Sequence, residues 1–97
     1  MAAPTYAVSL TAAAEDLLAM RSLARRGLTM IHGLRARPDR GHPLSGELAG
    51  CRSLELTHAQ GGYRAVYTVR DETLEVQVIA FGPHRTVYQT ARDRDQR

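Results

Sequence analysis

The chain has 97 residues, 43% of them hydrophobic and 24% charged, with a formal net charge of +3. That length holds one domain, residues 1–97, with a single modest core; the composition excludes a disordered chain, and no apolar run approaches the ~20 residues of a bilayer-spanning helix. The start MAAPTYAVSLTAAAEDLL has no basic n-region and meets carboxylates at Glu15 and Asp16, so no signal peptide is expected and a cytoplasmic location is the default.

TYAVSL, Thr5 to Leu10, alternates and predicts a first strand. Thr11 is expected to cap a helix through TAAAEDLLAMRSLAR, with Glu15 and Asp16 in its early turns and Ala13, Leu17, Met20 and Ala24 along one face. Gly27 is expected to break that helix. A shorter one then runs from Leu28 to Arg37, with Leu28, Ile31 and Leu34 on a stripe and Pro38 at its end, so that the two helices form a hairpin. Pro38 to Gly50 is rich in Gly and Pro and reads as a loop. Strands are expected at 52–57, 63–70 and 74–81, separated by HAQGG and DET, both suited to hairpins. After Gly82-Pro83, HRTVYQTARDRDQR reads as a terminal turn or short helix with a frayed, charged tail. The order β-α-α-β-β-β gives an α+β fold: a mostly antiparallel sheet with the N-terminal helical hairpin packed on one face and the other face free to bind.

Few residues carry chemistry on type alone. Cys51, the single cysteine, cannot form an internal disulfide and reads as a small hydrophobe. The four histidines, 32, 42, 58 and 84, are too scattered to suggest a metal site, and no cofactor is expected. Every strongly basic residue is an arginine, whose planar fork suits phosphate, although a GC-rich genome would give the same bias. In YRAVYTVR, alternation puts Arg64, Val66 and Thr68 on one face of the strand and Tyr63, Ala65, Tyr67 and Val69 on the other. If the tyrosines cover the core, Arg64 points outward, to a phosphate or to a carboxylate such as Glu55 or Glu75.

Three stretches, PLSGELAGCRSLEL, GGYRAVYTVRDETLEVQVIAFG and GPHRTVY, together with the order of elements, resemble the RelE/ParE superfamily of bacterial toxins from type II toxin–antitoxin modules. The resemblance runs from Tyr6 to about Arg94. RelE-like members are ribosome-dependent endoribonucleases that cut messenger RNA, whereas ParE-like members poison DNA gyrase without being enzymes. A degenerate member that only binds its antitoxin is a third possibility. Either toxin reading implies a cognate antitoxin as partner, and the RelE reading implies the ribosome and mRNA.

RNA cleavage of this kind needs no metal, because the 2′-OH is the nucleophile. It needs a base for the 2′-OH, cations on the phosphorus, an acid for the leaving 5′-oxygen and something to hold the bases. The resemblance implies Arg64 and Arg85 as phosphate ligands. It implies His84 as acid or base, since an ordinary imidazole titrates near ~6.5, and Tyr88 as a stacking or proton-transfer residue. The plain alternatives are an exposed loop histidine and a tyrosine packed on the sheet. The best-known RelE enzymes carry lysines on the second strand where this chain has Ser53 and Glu55. Glu55 then becomes the candidate base, or a solvated carboxylate, with His58 a second candidate in the following loop. Arg21, Arg25 and Arg26, with Arg52 and His58, are the candidate RNA contacts, and Arg35, Arg37 and Arg40 extend the basic rim. His42 has no clear role beyond the backbone.

Overall fold

The computed structural model of the chain describes residues 4–58 and 61–95. The elements are β1 (Ala7–Ser9), α1 (Thr11–Ala19), α2 (Arg21–His32) with a 3-10 turn at Gly33–Arg35, and β2 (His42–Pro43) with a 3-10 turn at Gly46–Leu48. Then come β3 (Cys51–His58), β4 (Gly61–Arg70), β5 (Glu75–Pro83) and α3 (His84–Arg94). One five-stranded sheet has the order β1-β5-β4-β3-β2; only β1 is parallel to its neighbour. This is the expected α+β architecture with two additions, the two-residue β2 within the Pro38–Gly50 loop and a full three-turn α3. Among the described residues no helix is long and apolar enough to cross a membrane.

The helical hairpin breaks in a different place from the one expected. Helix α1 stops at Met20 (φ −118°, ψ 61°), which also serves as the N-cap of α2, while Gly27 lies buried inside α2. A straight helix from Thr11 to His32 would be about 33 Å long at ~1.5 Å per residue. With the break, both helices reach one core, Ala13 and Leu17 from α1 and Ile31 from α2. Gly27 is a packing residue: a Cβ there would meet Leu17 Cδ2 at 2.8 Å and Phe81 Cζ at 3.1 Å. Thr11 is the first helical residue and not the cap; Leu10 stands at the cap position without a side-chain cap bond. The stripe shifts accordingly: Leu23, Ile31 and Leu34 are buried, whereas Leu28 is exposed.

The sheet has an unlike core on each face. Beneath α1 and α2 lie Ala13, Leu17, Ile31, Leu34, Leu54, Leu56, Ala65, Tyr67, Val76, Val78 and Phe81. The tyrosine face of β4 is therefore the core face, as alternation suggested. Tyr67 crosses this core, donating its hydroxyl to the Pro38 carbonyl (2.7 Å) and accepting from the Gly41 amide (2.9 Å), which pins the loop before β2. Burial raises its pKa above the usual 10.0.

The opposite face is not fully free. Helix α3 lies on it and closes a smaller cluster of Leu48, Cys51, Val66, Ala80, Val87 and Ala91. Val87 and Ala91, at i and i+4, are the side chains that α3 buries here, after Pro83 at its N-cap. What stays open on this face is the end near β4 residue 64.

Candidate functional site

The site grows out of strand alternation. In β3, Leu54 and Leu56 enter the large core, so Ser53, Glu55 and Thr57 point to the α3 face. The antiparallel register sets Glu55 beside Arg64 on β4, and Arg64 beside Gly82 on β5. Two residues after Gly82, His84 opens α3, and Tyr88 follows one turn later on the same side of the helix.

These residues form one connected row. Arg64 Nη2 lies 2.8 Å from Glu55 Oε1, and Arg64 Nε donates to His84 Nδ1 at 2.6 Å. The His84 ring meets the Tyr88 ring edge-on, with centroids 5.5 Å apart. The Tyr88 hydroxyl is 3.1 Å from Ser53 Oγ, and Thr57 Oγ1 donates to Glu55 Oε2 at 3.4 Å. Because Nδ1 accepts from Arg64, the ring proton of this neutral imidazole sits on Nε2.

Exposure grades along the row. The Arg64 side chain is only 17% exposed against 52% for Glu55, and Ser53 is buried at 1%. Arg64 is thus presented from a low-dielectric wall toward solvent, with its fork held in plane. Glu55, the exposed partner of this half-buried pair, can swing into solvent, so an incoming phosphate can take its place on the guanidinium.

The structure therefore brings together Glu55, Arg64, His84 and Tyr88, from three elements and 34 residues of sequence. It pairs Arg64 with Glu55, one of the two carboxylates considered, and leaves Glu75 at the far end of β5 beside Arg70. Arg85 is exposed in the first turn of α3. His58 ends β3 by register, but its side chain lies outside the described residues. Arg52 turns its guanidinium to the carbonyls of Gly41 (2.5 Å) and Asp39 (3.4 Å), a loop brace. Arg21, Arg25 and Arg26 are exposed on α2, and the stretch from Leu17 to Pro38 holds five arginines and no carboxylate. Arg26 donates to the Thr57 carbonyl (3.1 Å). Arg25, Arg26 and Arg40 rim a groove of about 410 Å³ floored by Met30 and Leu56.

Ser53 is the residue that sequence reasoning undervalued, as a mere absence of lysine. Its signal was in the strand: a small hydroxyl between Cys51 and Glu55 on the face that α3 covers, where only a group able to bond Tyr88 can be buried without cost.

No protein-family model matches the chain, and no curated protein does. Solved structures do. A double arginine-to-alanine mutant of the Escherichia coli toxin RelE in the free state superposes with a TM-score of 0.72 at 25% identity, covering 93% of this chain and 97% of that one. The RelBE2 toxin–antitoxin complex from Mycobacterium tuberculosis contains a chain matching at TM-score 0.67 and 30% identity, covering 82% of this chain and 99% of that one. With the sheet order, the helical hairpin and a likeness spanning nearly the whole of both proteins, the chain belongs to the RelE-like toxins of type II toxin–antitoxin systems.

Proposed function

We propose that this toxin is a ribosome-dependent endoribonuclease that cleaves messenger RNA by metal-free attack of a 2′-OH, and so stops translation. The observation that carries the reading is the convergence of a carboxylate, an arginine and an imidazole, Glu55, Arg64 and His84, within hydrogen-bonding distance on the open end of one sheet face.

Arg64 binds the scissile phosphate and stabilises its added negative charge, with exposed Arg85 as a second cation. Once phosphate takes the guanidinium, Glu55 Oε1 is released to accept the 2′-OH proton. His84 Nδ1 is released at the same moment and takes a proton from solvent; the imidazolium then gives its Nε2 proton to the departing 5′-oxygen and returns to the neutral ring. Tyr88 holds the imidazole edge-on and is itself fixed by Ser53. Attack by the adjacent 2′-OH leaves a 2′,3′-cyclic phosphate on one fragment and a 5′-hydroxyl on the other. The arginines of α2, reaching the Glu55 end of β3 through Arg26, track the RNA backbone.

The second partner is an antitoxin, as in the RelBE2 complex. An acidic, amphipathic segment would complement α2, which carries three arginines and no carboxylate. Both solved structures named above are RelE-type, so the gyrase reading gains nothing from them.

The test is to mix the purified toxin with translating ribosomes, and separately with naked message. Cuts confined to translated codons, with 5′-hydroxyl ends, are the expected result. Intact message alongside inhibited gyrase supercoiling would overturn the reading.

A further inference from the structure

Strand β1 covers β5 only as far as the Ser9–Gln77 pair, and beyond that point, among the described residues, the β5 edge has no strand beside it. Within β5 the register against β4 slips: Tyr67 faces Val78 and Val66 faces Ala80, so Ile79 is an extra, bulged residue. A bulge reverses which backbone groups face the edge. Before it, the Leu74 carbonyl accepts from Ala7 of β1; after it, the Ile79 carbonyl and the Phe81 amide point the same way with no strand to meet them.

Two side chains from distant parts of the chain take the place of that strand. Asp16 on α1 accepts from the Phe81 amide (2.9 Å), and Arg94 in the last turn of α3 donates to the Ile79 carbonyl (3.0 Å). The two grip each other in bidentate fashion, at 2.8 and 2.9 Å. Both are well shielded, with side-chain exposure of 16% for Asp16 and 29% for Arg94, and the Asp16 carboxylate raises the arginine's pKa further. One ion pair thus ties the helical hairpin on one face, the β5 edge, and the helix on the other face.

Helix α3 needs such a tie. Its N-cap, Pro83, makes no side-chain cap bond, and only Val87 and Ala91 are fully buried along it. Yet its position decides whether His84 Nδ1 meets Arg64 and whether the Tyr88 hydroxyl meets Ser53. We propose that Asp16 and Arg94 form a latch that positions α3, and through it His84 and Tyr88, against Arg64. They are positioning residues for the site; their bearing on cleavage rests on the functional reading above.

The test uses the full chain carrying Arg94→Ala, Arg94→Lys or Asp16→Asn. Asp16→Asn keeps an acceptor for the Phe81 amide and loses the charge, which guards against a variant that fails to fold. In Arg94→Ala and Asp16→Asn, amide exchange over Val87 to Ala91 is expected to speed up about tenfold or more, with β4 amides unchanged. The ¹⁵N signature of His84 with Nδ1 as acceptor should weaken in step, and Arg94→Lys should restore part of both. Cleavage should fall through kcat, with KM little changed. Unchanged α3 protection and an unchanged His84 signature would overturn the latch. Loss of both in a protein whose wild type never cuts RNA would support the latch and sink the nuclease reading instead.

Discussion

The two faces of the sheet are made from alternate residues of the same strands, and they are built to different ends. Under α1 and α2 the buried row is apolar except for one phenol, and that phenol is bonded twice. Under α3 the core is small, and next to it runs a line of hydroxyl, carboxylate, guanidinium and imidazole groups that end at solvent. A strand can serve both because its side chains alternate: Leu54 and Leu56 hold the fold while Glu55 between them faces Arg64 on the other side. Stability and toxicity should therefore respond to different substitutions, even at neighbouring positions.

The largest effect on stability is expected on the helical face. Ile31→Ala, at 2% exposure, should cost about 2–5 kcal/mol, read as a lower urea midpoint, with the ends of any cut RNA unchanged in kind. Gly41→Ala should cost about 1–3 kcal/mol by overpacking, because its Cβ would sit 2.6 Å from the Tyr67 hydroxyl and 2.8 Å from the Ser53 carbonyl. If that variant melts like the wild type, the phenol does not pin the loop.

On the α3 face the changes are smaller in stability and larger in function. Tyr88→Phe leaves Ser53 Oγ without its partner and should lose about 1 kcal/mol, with cleavage reduced less than by loss of Arg64. The smallest effect near neutrality is the titration of Tyr67. Its folded pKa is raised above the unfolded 10.0 by burial, so its contribution is complete below pH ~10 and is lost as pH rises through the folded value. Urea midpoints should hold steady up to about pH 10 and then fall. Tyr67→Phe should be weaker at neutral pH yet flatter above it. Tyr6, whose hydrogen bond to Asp71 also raises its pKa, should be replaced by Phe in both proteins.

Much of this fold was legible because its strands alternate cleanly and its turns are marked by Gly, Pro and Asp. The partition of Arg64 and the tyrosines to opposite faces followed from period two alone. The helix break was not legible, since Ala19-Met20-Arg21 contains no breaker and Gly27 looks like one; the close approach of Leu17 and Phe81 is what calls for glycine there. Nor was the bulge at Ile79, in a run of apolar residues where one extra residue leaves no local mark. Helix α3 was read as a turn or short helix because its apolar face is only two residues wide. The site residues came from the resemblance, and what the sequence lacked was their mutual geometry: that Glu55 and His84 both hold Arg64, and that Ser53 holds Tyr88.

The most direct test of a nuclease centred on Arg64 is primer extension along a translated reporter message after brief induction of the wild type and of Arg64→Ala. Cuts within codons for the wild type, reduced about 10²–10³-fold in the variant while the variant still unfolds cooperatively in urea, are the expected result. Equal cutting by both proteins would contradict the role of Arg64, and toxicity with every message intact would contradict the nuclease itself.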